Sequence, residues 1–340
     1  MCRMLISIII PTKNRLYILK DTIKSLKDQT YINWEAIIID DGSSDGTDIF
    51  FKDIQDKRIK YFKRKSRKSG APVCRNEGIK RSKGKYVIFL DSDDYLLPNC
   101  LKKRLEFMSL NPDLDFGVFL CRLYDNKLED LDLLWNVFTK EDDINRFLKL
   151  DIPWQTTGPI WKRSSLKKVG RWDETLRCFQ GWEYNLRALI KGLKYKKFEI
   201  IDYFWRETKK DSISYKGGNP GHFPTYKRLI SKTLNLLKEK NKLTTQRKNL
   251  VAGLYFWLVN CGVMYKYKRG SLKAWNICKQ KKLIGSLKYI EGLLYILLGG
   301  GKIVKKIGRV YVKFTNPKVQ ARHFQGTFKR CTIDHLSGRS

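Results

Sequence analysis

A chain of 340 residues with 42% hydrophobic and 13% aromatic side chains can bury a sizeable core, which excludes a disulfide-stapled miniature and wholesale disorder. Lys and Arg number 69 against 34 Asp and Glu, a formal charge of +35, so an anionic partner is expected: nucleic acid, a phospholipid surface or a phosphorylated substrate. The eight cysteines are scattered, with no CxxC pair and no His-Cys cluster at metal-ligand spacing, which fits a reduced, cytoplasmic compartment.

In chain order, the start has one charge before an apolar run, like a signal peptide. Pro11 and Lys13 cut that run short and no small-residue cleavage site follows, so Leu5 to Ile10 is expected to be the first core strand. Ile18, Leu19, Ile23 and Leu26 then recur at helical spacing. Trp34 to Asp40 is a second buried strand ending in acid, followed by Asp41-Gly-Ser-Ser-Asp-Gly-Thr47, a loop dense in turn formers. A helix to about Gln55, a short strand at Ile59 to Phe62 and a helix from Pro72 to Lys83 come next.

Lys85-Tyr-Val-Ile-Phe-Leu-Asp-Ser-Asp-Asp94 then ends an apolar run in three carboxylates. Val87 to Leu90 carries no polar side chain, which suits a strand covered on both faces. Ligands of open α/β sheets bind at the carboxyl ends of strands, so Asp91, Asp93 and Asp94 are placed for a ligand; the plainer reading is a polar turn. A helix from Pro98 to Leu110, a strand at Phe116 to Cys121, acidic loops and short helix over the sheet edge from Asp125 to Asp151, a pocket-lining loop from Pro153 to Asp173, and a helix from Gly181 to Lys191 complete this part. Strands alternating with helices imply right-handed βαβ units and a parallel sheet.

Beyond Pro224 the character changes. Between His222 and Lys313, 21 Lys and Arg stand against two acids, Glu239 and Glu291, interleaved with runs such as Leu254-Tyr-Phe-Trp-Leu258. Such segments read as helices lying in a membrane interface, or as an appendage whose apolar faces pack on the main domain. No window reaches the 18 or so apolar residues of a spanning helix. Nucleic acid is not expected as a partner, because no recognition motif is present and the charge clusters away from the apparent cleft.

Ser7-Ile-Ile-Ile-Pro-Thr-Lys-Asn-Arg15, Asp40-Asp-Gly-Ser-Ser-Asp-Gly-Thr47, Arg75-Asn-Glu-Gly78 and Gly84-Lys-Tyr-Val-Ile-Phe-Leu-Asp-Ser-Asp-Asp94, in this order, resemble the family 2 inverting glycosyltransferases with the GT-A fold. The resemblance covers roughly residues 5 to 215. It implies an α/β chain with the Rossmann-like mixed sheet of the nucleotide-diphospho-sugar transferases and a basic C-terminal helical region. The expected division is 1–221 for the glycosyltransferase domain, 222–322 for a basic amphipathic helical region at a membrane interface, and 323–340 for a frayed tail.

The resemblance also implies a nucleotide-sugar donor, most often a UDP-sugar. Asp41 is then the carboxylate that accepts from the nucleobase or ribose, with Pro11, Thr12, Asn14 and Ser43 lining the same site. Asp91 and Asp93 form the DxD pair that holds Mn2+ or Mg2+ against the phosphates, with Ser92 between them, and Arg75 adds a second cation there unless it is an ordinary surface arginine. Inverting transfer needs a general base. The family's commoner motif is Gln-Asp-Trp-Glu, whereas this chain has Gln180-Gly-Trp-Glu183, so Gly181 stands where the carboxylate is expected. Glu183 is the nearest substitute, although two residues along a helix turn about 200° around its axis. Asp173 and Glu174 are also close in sequence.

The segment Trp205 to Ser214 resembles the loop that closes over the donor, and it lacks the metal-binding His of some relatives. Lys209 or Lys210 is expected to contact phosphate, and His222 reads as an ordinary loop histidine. The implied function is hexosyl transfer, with inversion, to a glycan or lipid-linked acceptor in bacterial cell-surface polysaccharide synthesis, by a peripheral protein on the inner face of the membrane. The alternative is a catalytically impaired nucleotide-sugar-binding protein.

Overall fold

The runs without polar interruption become the interior of a sheet. In the computed structural model, which describes residues 4–125, 128–129, 133–206, 220–299 and 331–332, β1 (Ile6–Thr12), β2 (Trp34–Asp40) and β4 (Tyr86–Phe89) are buried at every position. β1 lies between β2 and β4, parallel to both, and β3 (Ile59–Lys63) lies parallel beyond β2. Helices α1 (Leu16–Lys27), α2 (Thr47–Lys52) and α3 (Ala71–Arg81) make the connections. The chain steps from β1 to β2 in one direction and returns to β4 on the other side of β1. That reversal of strand order leaves a crevice outside the carboxyl ends of β1 and β4.

Past β4 the sheet is mixed. β8 (Pro159–Lys162) runs antiparallel to β4 and to β6 (Phe116–Tyr124). β9 (Tyr195–Arg206) runs parallel along β6 and pairs antiparallel with the short β5 (Tyr95–Leu96). β7 (Leu133–Leu134) pairs with β6, and β10 (Cys331–Thr332) with β7. α4 (Cys100–Leu110), α6 (Arg163–Val169) and α7 (Gln180–Ile190) complete this unit, which comprises residues 1–139, 154–208 and 330–340. β8 and β9 are additions to the sequence-based expectation. β8 is four residues inside a Trp- and Pro-rich stretch, and the first half of β9 is Lys- and Glu-rich with alternating exposure, so neither reads as an apolar run.

Residues 140–153 and 209–329 form a second compact unit, helical in its described residues. Its described elements are α5 (Asp143–Leu148), α8 (Phe223–Glu239), α9 (Thr245–Met264), α10 (Lys268–Gln280) and α11 (Ser286–Leu297). α9 is its axis, buried almost continuously from Leu250 to Cys261. Leu254-Tyr-Phe-Trp-Leu258 is therefore core and is not offered to a membrane, which corrects part of the interface expectation. α5 docks on α9 through Asn145 to Gln246 (3.1 Å) and Arg247 to Asp142 (3.1 Å). Among the described residues no helix is long and apolar enough to cross a membrane.

Two polar networks tie the sheet unit together. At the amino end of the strands, Glu35 accepts from the Ser7 hydroxyl, the Lys60 ammonium and the Lys83 amide, each at 2.7 Å. Burial alone would raise this carboxyl, but those three donors outweigh it and hold Glu35 below the usual carboxylate range. Deeper in, Arg104 of α4 donates from Nε and Nη2 to both oxygens of Asp202 on β9 (2.6 and 2.8 Å) and from Nη1 to the Thr157 carbonyl (2.9 Å). Both side chains are fully buried.

Arg104→Met is expected to cost about 3–5 kcal/mol in urea unfolding, because it leaves the buried Asp202 carboxyl without its cation; Arg104→Met/Asp202→Leu should regain most of that, and a single variant as stable as wild type would show that the pair is dispensable. Because the Glu35 pKa is depressed on folding, its contribution is present above the unfolded value of about 4.3 and lost as pH falls through the lower, folded value. Glu35→Gln should therefore be the less stable protein at pH 7 and lose less stability than wild type on acidification from about pH 5 to 3, a difference that parallel pH-dependent melts would expose or refute.

Candidate active site

Asp91 to Asp94 leave β4 at the strand-order reversal, with three carboxylates in four residues. Backbone and side chains are pinned separately. The Thr22 hydroxyl of α1 donates to the carbonyls of Ser92 (3.0 Å) and Asp94 (2.8 Å), which orders the loop from below. Thr157, just before β8, accepts from the Asp91 amide at 3.3 Å and donates its hydroxyl to Asp94 Oδ2. Asp91 Oδ1 accepts from Arg75 Nη2 at 2.5 Å, and Asp93 pairs with Arg15. The two acids of the expected metal pair thus each face an arginine.

The loop is electrostatically loaded. Burial raises the Asp93 carboxyl above its ordinary range, partly offset by Arg15. Burial, then the charges of Asp91 and Asp93, push Asp94 well above that range, and its Oδ1 has no hydrogen-bond partner among the described residues. Among the described residues no three His, Cys, Asp or Glu converge on a protein-only metal site. The partly exposed carboxylates of Asp91 and Asp93 are the hard oxygen ligands that suit Mn2+ or Mg2+, ions that complete their shells with phosphate oxygens and water.

Arg75 joins the acid loop to the first residue of α7. Its Nη1 donates to Gln180 Oε1 at 2.9 Å and its guanidinium lies 4.6 Å from the ring centre of Trp172. Trp172 stacks on Tyr184 of α7, with centroids 4.0 Å apart, and meets Phe89 of β4 edge-on. Asn76, the next residue of α3, accepts from the Trp172 amide (2.9 Å) and donates to its carbonyl and to Glu174 (both 3.0 Å). Arg75 is buried and is not a surface arginine, its guanidinium met by a carboxylate and an aromatic ring.

Across the crevice, β2 ends in Asp40 and Asp41. Asp40 is internal: it accepts from the Ser43 amide and hydroxyl (2.9 and 2.6 Å) and from Tyr61 (2.6 Å). Asp41 accepts from the Gly70 amide at 2.9 Å, and Arg64 Nε stands 2.5 Å from its other oxygen, misaligned for a hydrogen bond. Asn14, in the left-handed region at φ 50°, receives the Ser44 amide (2.7 Å) and donates its own amide to Ser43 Oγ (2.9 Å), so the loops after β1 and β2 are laced together. Pro11 and Thr12 end β1 beside Ile39 and Asp40, and the buried Thr12 hydroxyl has no hydrogen-bond partner among the described residues.

Helix α7 begins at Gln180, so Glu183 lies in its first turn, well around the axis from position 181. The Glu183 carboxylate takes both Nε and Nη2 of Arg187 (2.7 and 2.8 Å), and Arg187 also binds the carbonyls of Val169 and Arg171. At Gly181 an added Cβ would stand 2.5 Å from Thr156 Oγ1, so the Thr156 hydroxyl occupies the place where a longer side chain would begin. Asp173 accepts from Thr175, and Glu174 from Asn76 and Arg171. His222 caps α8 in the helical unit, while Lys209 and Lys210 lie outside the described residues.

Arg15, Gln180, Trp172, Thr157 and Arg64 have no role in the sequence-based expectation. Arg15 and Gln180 stand inside the motifs quoted above, where a charge or amide beside the acids is a usable signal. Thr157 and Trp172 carry none, since only the sheet brings them to the loop.

Residues 7–170 match the sequence profile described as Glycosyl transferase family 2. The chain is 32% identical over 206 residues to the Escherichia coli UDP-Glc:alpha-D-GlcNAc-diphosphoundecaprenol beta-1,3-glucosyltransferase WfaP, covering 59% of this chain and 77% of that one. It is 42% identical over 106 residues to the putative teichuronic acid biosynthesis glycosyltransferase TuaG of Bacillus subtilis, covering 31% and 42%. The chain spans less than half the length of several such relatives, 15% in the case of a Rickettsia bellii glycosyltransferase. In three dimensions it resembles S. aureus TarS 1-349 in complex with UDP-GlcNAc, with a TM-score of 0.63 and 17% identity over 96% of this chain and 93% of that one. The motifs at the ends of β1, β2 and β4, the fourth in α3, the mixed sheet and the similarity to WfaP lead to one conclusion: the chain belongs to glycosyl transferase family 2 and has the GT-A fold.

Proposed function

We propose that the chain transfers a sugar, with inversion, from a nucleoside-diphosphate donor to a lipid-linked glycan acceptor in cell-surface polysaccharide synthesis, working on the cytoplasmic face of a membrane. The observation that carries this is the acid loop at the strand-order reversal, with Asp91 and Asp93 each opposed by an arginine. The names of E. coli WfaP and of a Campylobacter jejuni beta-1,3-glucosyltransferase, both acting on undecaprenol diphosphate-linked sugars, support the acceptor class.

Asp91 and Asp93 would hold Mn2+ or Mg2+, which when bound supplies positive charge against the diphosphate. Arg75 and Arg15, released from those carboxylates, turn to the phosphate oxygens. Asp41 and the Asn14–Ser43 lacing form the nucleoside wall, with Pro11 and Thr12 at its base and Ser92 at the loop. In the transfer itself the acceptor oxygen forms a bond to the anomeric carbon as the bond to the phosphate oxygen breaks. The nucleoside diphosphate keeps that electron pair, and the acceptor proton goes to a base. Glu183 takes that proton only with Arg187 displaced, so we infer a slow transfer in which solvent at the Gly181 side receives it.

Three measurements test this reading. Purified protein with Mn2+ should hydrolyse or transfer from one of a set of UDP-, GDP- and dTDP-sugars, and chelation should abolish it; nucleotide binding with no turnover of any donor would overturn the enzyme reading. By calorimetry, Asp93→Asn should abolish Mn2+-dependent nucleotide binding, and unchanged affinity would sink the metal assignment. Gly181→Asp alone meets Thr156, so Gly181→Asp/Thr156→Ala is expected to raise kcat by roughly 10²-fold or more with the donor KM unchanged; a flat kcat would mean that the missing base does not limit the rate.

A further inference from the structure

α11 packs on the helical unit by one side only. Its buried positions are Gly292 and Ile296, and Gly292 lies so close to Trp275 that a Cβ there would stand 2.2 Å from the indole. On the opposite side Leu287, Ile290, Leu294, Leu297 and Leu298 are 72%, 52%, 43%, 59% and 60% exposed. At helical spacing these five fall within an arc of about 100°, centred away from the packed side. A single exposed aliphatic needs no explanation, but a continuous stripe of five does. The turn between α9 and α10 adds the exposed Met264, Tyr265 and Tyr267.

Charge selects what covers the stripe. Lys279 donates to Ser286 Oγ at 2.7 Å in the first turn of α11, and Lys268 to the Leu297 carbonyl at 3.3 Å in its last, so an ammonium stands at each end. Lys281 and Lys282 are exposed just before the helix. From Met264 to Gly299 eight Lys and Arg face one acid, Glu291. A second copy of the chain would bring like charges together, and nucleic acid offers nothing to the leucines. A bilayer with anionic headgroups takes both, the side chains among the acyl chains and the ammonium groups at the phosphates.

We propose that α11 lies in the plane of an anionic phospholipid bilayer, with the stripe from Leu287 to Leu298 inserted and Lys268, Lys279, Lys281 and Lys282 at the headgroup phosphates. This rests on the membrane-side placement proposed above and not on the transfer chemistry. The test is co-flotation of the full chain with vesicles of phosphatidylglycerol and phosphatidylcholine, compared with pure phosphatidylcholine. Wild type should float with the anionic vesicles and lose binding as salt rises. Ile290→Asp/Leu294→Asp, at exposed positions, should bind roughly tenfold or more weakly while keeping donor turnover in solution and its melting temperature. Equal flotation of the variant overturns the proposal. So does a dimer in light scattering that the variant dissociates, which would make a second copy the occupant. Flotation that behaves as expected with no donor turnover in either protein would overturn the enzyme reading and leave this one standing.

Discussion

Three carboxylates crowded into four residues at the end of a strand with no exposed face is the constraint from which the sheet unit follows. Such charge is tolerated only where cations and donors meet it, and each comes from a different element. Arg15 comes from the loop after β1, Arg75 from α3, Thr22 from α1 and Thr157 from the approach to β8. The buried Arg104–Asp202 pair holds the Thr157 carbonyl and so fixes the hydroxyl that reaches Asp94. Residues far apart in the chain thereby become one loaded loop, its buried charge met by cations and donors from four elements.

The same economy governs the approach to α7. Arg75 spans from the acid loop to Gln180, and Asn76 beside it holds both backbone groups of Trp172, so two consecutive residues of one helix tie the acid loop to the start of α7 and to the segment before it. Position 181 sits at the junction. A glycine there lets Thr156 close against the helix, and the nearest acid, Glu183, is committed to Arg187. The acid loop and its neighbours are thus densely cross-linked, while no carboxylate stands at position 181 itself.

The helical unit shows how far composition alone misleads about surface. Its most aromatic run, Leu254 to Leu258, is the core that α8 and α10 pack around, whereas the plainer leucines of α11 stay outside. Both runs are apolar and both lie among lysines. What separates them is that α9 is buried around its whole circumference, while among the described residues α11 packs by one side, on Trp275 of α10 and Phe256 of α9.

By itself the sequence determined the alternation of strands and helices through β4, the acids at the ends of β2 and β4, and the family those motifs belong to. These depend on short stretches whose periodicity and turn chemistry are local. It also exposed the glycine at position 181 as a departure from the motif it resembles, since a motif is read position by position. Tertiary structure alone decided that β8 and β9 enter the sheet, because a four-residue strand and a half-charged one gain their stability from partners and not from their own pattern. It decided too that Arg15, Thr157 and Trp172 serve the acid loop and that Glu183 serves Arg187. Partners 78 or 66 residues away in the chain are brought together only by the packing of the sheet, which no local pattern records.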